Sequence, residues 1–192
     1  MNTSRPATIS LVLVNALVLL GPLAFGWNLA TLLLLYWLEL VFVGLINIAQ
    51  MLRASQLGEL GQSRSYQVIF FIAHYATFCV IYGATLGRFI AGPEADLGGS
   101  LIGLLIASTA LLASHIYSYR VNYIGEAEYQ KVSSLEQMFV PYRRAVPVQI
   151  AIVIGAIAAR EMGESVPALA ALVCVKLIVD LAVHLRHHKA FV

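Results

Sequence analysis

Apolar residues in this chain run in blocks of roughly 20, a length at which a helix can cross the hydrocarbon of a bilayer while satisfying its own backbone. Six such blocks occur, at 7–25, 28–52, 66–90, 97–119, 145–162 and 166–187. Period-two alternation in ten-residue segments, the mark of a membrane barrel, is absent. The pattern predicts an all-α polytopic bundle of six transmembrane helices forming a single domain over 1–192. The connections are a tight Gly26-Trp27-Asn28 turn, a Gly/Ser/Gln-rich loop at 53–65, a turn around Gly92-Pro93, a longer loop at 120–144 and a short Met162-Gly163-Glu164 turn. The first block lacks a small-x-small cleavage pattern before Trp27 and reads as a retained span, not a signal peptide.

The longer loop carries a pattern of its own. Ser133-Ser134-Leu135-Glu136 has the spacing of a capping box, and Leu135, Met138, Phe139 and Tyr142 follow at i, i+3, i+4 and i+7. This predicts a short interfacial helix on the inner leaflet, ending in Pro141-Tyr142-Arg143-Arg144, where the two arginines could hold a lipid phosphate.

Composition agrees with lipid as the solvent. Of 192 residues, 60% are hydrophobic and 11% charged, against about a quarter charged in soluble domains. A net charge of +2 argues against nucleic-acid binding. Cys79 and Cys174 lie in apolar blocks and read as small hydrophobes.

Positive loops stay cytoplasmic. One set of span ends holds Arg5, Arg53, Arg64, Arg120, Lys131, Arg143, Arg144, Arg186 and Lys189, and the other holds Arg88 and Arg160. Nine against two predicts that both termini are cytoplasmic, and a helical multi-pass chain of this kind is expected in the cell's inner (cytoplasmic) membrane. Gly83-x-x-x-Gly87 and Gly99-x-x-x-Gly103 mark faces for close helix crossing, within the bundle or between copies in a homo-oligomer.

The twelfth basic residue, Lys176, falls inside a span, and an intramembrane charge needs a partner or a task. Counted from the outer ends of their spans, Glu39 and Lys176 lie at nearly the same depth, so an ion pair is expected, serving helix packing or, alternatively, a proton relay or substrate binding. A second group, His74, His115, Asp180 and His184, sits closer to the cytoplasmic face, with Asn47 and Gln149 at similar levels. Lys176, Asp180, His184 and His188 recur every four residues along one helical stripe. Histidines restricted to one level on three helices, with Asp180 among them, have the donor types of a zinc site; a hydrogen-bonded polar cluster and a bis-histidine haem b site are the alternatives.

The order of landmarks resembles an uncharacterised family of small prokaryotic membrane proteins catalogued as a domain of unknown function. Those landmarks are Tyr36-Trp37-Leu38-Glu39 with Asn47, Phe70-Phe71-Ile72-Ala73-His74-Tyr75, Ser114-His115, Asn122-Tyr123, Glu128-Tyr129, Pro141-Tyr142-Arg143-Arg144 and Lys176-x-x-x-Asp180-x-x-x-His184. The resemblance implies a six-span fold and no activity, and its pattern places a histidine on the fifth span where this chain has Gln149. A looser likeness, by analogy only, is to the intramembrane zinc hydrolases of the alkaline ceramidase and adiponectin-receptor type.

Four functions follow as expectations. The first is a metal-dependent enzyme acting on a lipid or other amphipathic substrate. In it His74, His115, His184 and Asp180 would hold zinc, Asp180, Glu39 and Lys176 would serve the chemistry, and Arg143, Arg144, Tyr142 and Asn47 would bind substrate. The others are a haem b redox protein, a small proton or ion transporter centred on Glu39 and Lys176, and a non-catalytic structural membrane protein.

Overall fold

The computed structural model describes residues 18, 20–55, 63–90, 101–163 and 165–189, with side chains apart from those of 88–90, 144, 147–148, 151, 156, 159–160 and 180–189. Its five long elements are helices: α1 (Leu29–Arg53), α2 (Arg64–Ile90), α3 (Leu101–Ser118), α4 (Ser134–Glu161) and α5 (Val166–Lys189). They correspond to the second through sixth apolar blocks. The first block lies outside the described residues except for Val18 and residues 20–25, of which 20–24 are helical, as do the Gly92-Pro93 turn and positions 56–62 of the polar loop. Three helical stretches, Leu29–Arg53, Arg64–Gly87 and Leu101–Ile124, are long and apolar enough to cross a membrane.

α1 is the central helix, packed by α2, α3 and α4, with α5 packed on α4. Its start is set locally. Gly26 adopts a left-handed conformation at φ +65, where a side chain would be strained, and Asn28 caps the helix by accepting from the Thr31 amide at 3.0 Å. Its end is closed from outside. Arg64 donates to the carbonyls of Leu52 and Ala54 at 2.9 and 2.6 Å, satisfying acceptors that a helix C-terminus leaves open. Arg64 therefore does more than mark topology.

The α1/α2 seam is held by two reciprocal side-chain bonds to backbone. The Trp37 indole donates to the Cys79 carbonyl at 2.9 Å, and the Tyr75 hydroxyl donates to the Leu40 carbonyl at 3.0 Å. Two glycines allow this approach: a methyl on Gly44 would overlap the Tyr75 ring, and one on Gly83 would meet the Trp37 indole at 3.0 Å. Of the predicted Gly83-x-x-x-Gly87 pair, Gly83 thus serves a contact within the chain, and Gly87 has open space. Gly99 lies outside the described residues. Gly44, which belongs to no small-residue pair, is the tighter position.

The expected interfacial helix is not a separate element. Residues 134–142 are the opening turns of α4, which continues through Pro141 to Glu161. The capping box that starts it is present: the Ser133 amide and hydroxyl donate to the Glu136 carboxylate at 2.9 and 3.0 Å, and the Glu136 amide donates to Ser133 Oγ at 3.2 Å. Those donors hold the Glu136 carboxyl below its ordinary value. The face differs from expectation as well. Gln137 and Met138 are buried against α1 and α2 whereas Leu135 and Phe139 are exposed, so packing on the bundle decides the rotation. Proline inside a helix is tolerated where neighbouring helices compensate for the lost backbone bond.

The loop predicted at 120–144 shrinks accordingly. α3 runs on as a π-helical segment, Tyr119–Ile124, followed by a single 3₁₀ turn, Glu128–Gln130. Ser55 ties this connection to the end of α1 by donating to the Tyr129 and Val132 carbonyls at 2.7 and 3.0 Å.

Gly44→Ala should overpack the α1/α2 seam and lower stability by about 1–3 kcal/mol, whereas Gly87→Ala should leave it unchanged or slightly raised. Thermal unfolding of the purified variants in one detergent checks the contrast.

Candidate functional site

Near the middle of α1, one face of the helix carries Tyr36, Glu39, Val43, Ile46, Asn47 and Gln50 at about 3.6 residues per turn. Glu39 meets Lys176 of α5: the ammonium donates to Oε2 at 2.7 Å, with Glu39 6% and Lys176 1% exposed. The Lys176 ammonium also lies 5.4 Å from the centre of the Tyr36 ring, within cation–π range. The pairing expected from equal depth is therefore present. The two charges are sequestered together, so each removes the other's unpaired cost.

The second carboxylate oxygen of Glu39 faces α3. His115 Nε2 lies 3.8 Å from Oε1, beyond hydrogen-bond range but within the reach of a small ring movement. His115 also lines a cavity of about 140 Å³ between α1, α3 and α4, whose polar wall is Asn47, Gln50, Ser118 and Tyr119. Eight residues, about 12 Å of helix, separate Glu39 from Asn47, and the intervening Val43 and Ile46 on this face are apolar. His115 thus lies 3.8 Å from Glu39 and also lines the cavity that Asn47 and Gln50 border.

The cavity's far wall is braced by Gln137 of α4. Its amide nitrogen donates to Asn47 Oδ1 at 2.8 Å and to Gln50 Oε1 at 3.0 Å. This 4% exposed glutamine escaped the sequence reading because the segment was placed on an interfacial helix, where a polar position faces water. Gln50 and Tyr36 were also missed as site residues, although both share the helical face that holds Glu39.

A model of the family of unknown function DUF6498 matches residues 2–191, nearly the whole chain. The chain belongs to DUF6498. Neither the curated proteins nor the solved structures contain a match to it.

In this DUF6498 protein the remaining candidates divide. His74 does not join His115 at Glu39. Its Nδ1 is bonded to the Tyr142 hydroxyl at 2.7 Å, its ring stacks on Phe70 at 5.9 Å between centroids, and it is exposed. Tyr142 in turn packs edge-on against Phe71 and Tyr75. Arg143 is exposed. The side chains of Arg144, Asp180 and His184 lie outside the described residues. Among the described residues no three histidine, cysteine or acidic side chains gather as metal ligands, and the two described histidines contact different partners.

Lys176→Met removes the ammonium that donates to the buried Glu39 carboxylate and should cost about 3–5 kcal/mol, whereas Glu39→Gln combined with Lys176→Met should recover most of that loss. Denaturant or thermal unfolding in mixed micelles measures both.

Proposed function

We propose that this DUF6498 protein is a multi-pass protein of the inner (cytoplasmic) membrane, with six spans and cytoplasmic termini, that passes protons or small ions along a polar column. The column runs from the cavity at Asn47 and Gln50, through His115, to the Glu39 and Lys176 pair. The nine-to-two distribution of basic residues supports this orientation, under which the cavity lies toward the cytoplasmic side. The observation that carries the reading is the position of His115, 3.8 Å from Glu39 and on the wall of the cavity.

A proton arriving from the cavity is taken by His115. Rotation of the ring then brings Nε2 to Glu39 Oε1; the N–H bond breaks, an O–H bond forms, and the imidazolium and carboxylate become neutral imidazole and carboxylic acid. Return of the proton breaks the O–H bond at Glu39 Oε1, re-forms the N–H bond at His115 Nε2 and restores the carboxylate to which the Lys176 ammonium, lying over Tyr36, donates.

The zinc-enzyme reading draws less support, because His74 and His115 serve separate contacts. Purified protein carrying stoichiometric zinc that is lost on His74→Ala would favour it over transport, and a Soret band would favour haem b.

The test is proton flux into vesicles reconstituted with the full chain under a clamped potassium diffusion potential. Wild type should acidify the lumen faster than empty vesicles, and Glu39→Gln should reduce that rate at least about tenfold, as expected when a required proton carrier is removed. Flux equal to that of empty vesicles, or unchanged in Glu39→Gln, would overturn the proposal.

A further inference from the structure

Polar and apolar packing divide at the ion pair. Glu39 is ten residues past Leu29, the start of α1, and Lys176 is ten past Val166, the start of α5, so both helices reach the pair from one common end, about 15 Å of helix away. The polar wall of the cavity, Asn47, Gln50, Ser118 and Tyr119, lies beyond the pair, near the far ends of α1 and α3. Toward the common end the packing is hydrocarbon. Leu32 and Leu35 of α1 have no exposed surface, and Leu172 and Val173 of α5, Leu104 of α3 and Ile152 of α4, which share their core, are at most 5% exposed. Thr31 and Ser108, buried in the same half, donate their hydroxyl hydrogens to Asn28 Oδ1 at 3.0 Å and to the Leu105 carbonyl at 3.1 Å, so neither hydrogen is left for a file of waters. A hydrated ion or a proton-carrying water chain cannot enter such a layer until its side chains part.

We propose that the Glu39 and Lys176 pair is reached from one end of the bundle only, the end that bears Ser55 and Lys131, and that Leu32, Leu35, Leu172 and Val173 form a closed hydrophobic gate toward the other. Passage beyond the pair requires α1 and α5 to separate at these four side chains. The packing permits it, since α5 rests mainly on α4 and its apolar interface with α1 is slight. The gate role rests on the transport reading; one-sided access does not, and it is measured without proton flux.

The test is thiol labelling of the full chain carrying Cys79→Ala and Cys174→Ala, reconstituted in vesicles and treated from one side at a time with a membrane-impermeant methanethiosulfonate. Lys131→Cys and Met162→Cys, at exposed positions on opposite ends, identify the side. Val43→Cys, on the cavity wall, should react from the Lys131 side and at least about tenfold more slowly from the Met162 side, where Leu35→Cys should be equally slow, because a buried thiol reacts only when the structure opens. Leu32→Asn, which sets an amide among the gate side chains, should speed Leu35→Cys labelling from the Met162 side several-fold. If Leu32→Asn fails to fold, Val173→Thr, which exchanges a methyl for a hydroxyl, carries the same test.

Val43→Cys reacting equally from both sides or from neither, or Leu35→Cys reacting from the Met162 side as fast as Met162→Cys, would overturn one-sided access. Folded Leu32→Asn and Val173→Thr that leave Leu35→Cys labelling unchanged would overturn the gate. One-sided labelling in a protein without flux would remove the gate role together with the transport reading and uphold the one-sided access.

Discussion

The buried ion pair between Glu39 and Lys176 is the constraint around which the described bundle is arranged. Two unpaired charges at this depth would be untenable, and a 2.7 Å contact between α1 and α5 makes each the other's solvent. The two helices do not otherwise form a main packing interface; α5 reaches the centre through α4. The pair therefore fixes the position of α5 relative to α1 by charge, where Leu172 against Gly155 fixes it relative to α4 by shape. A buried pair is poor stabilisation compared with apolar packing, whereas removal of one partner is strongly destabilising.

Around that pair, α1 divides its surface among different kinds of contact. The α2 side uses glycine and aromatic rings, with Trp37 and Tyr75 each reaching a backbone carbonyl on the opposite helix. The α4 side uses the Asn47, Gln50 and Gln137 amides. The α3 side offers His115 and the cavity. In lipid, where apolar contact between helices gains little over contact with acyl chains, close packing and interhelical hydrogen bonds carry association, and each of the first two sides supplies one of them.

Depth along each span was legible in the sequence, because rise per residue is constant; this is why Glu39 and Lys176 could be matched from different ends of the chain. Azimuth was not. His74 and His115 are expected at comparable depth by residue count, yet His74 stands with Tyr142 and Phe70 while His115 stands at Glu39, because rotation about a helix axis is decided by partners that hydropathy does not name. The capping box at Ser133 and the turn at Gly26 were legible because they are local. The continuation of α4 through Pro141 was not, since the proline and the basic residues after it read as an ending, and only Gln137 packing on α1 and Met138 in the core with Val68 and Phe71 explain why the helix persists. Membership of DUF6498 extends over nearly all of this sequence, so these landmarks belong to the family's own region.

The central claim is that His115 and Glu39 act in series on one path. A double-mutant cycle on proton flux tests it most directly: Glu39→Gln and His115→Gln each lower the vesicle acidification rate, and the double variant is predicted to fall no further than the slower single variant, because two blocks in one line do not add. A double variant whose loss equals the product of the two single losses would show independent contributions and contradict the account.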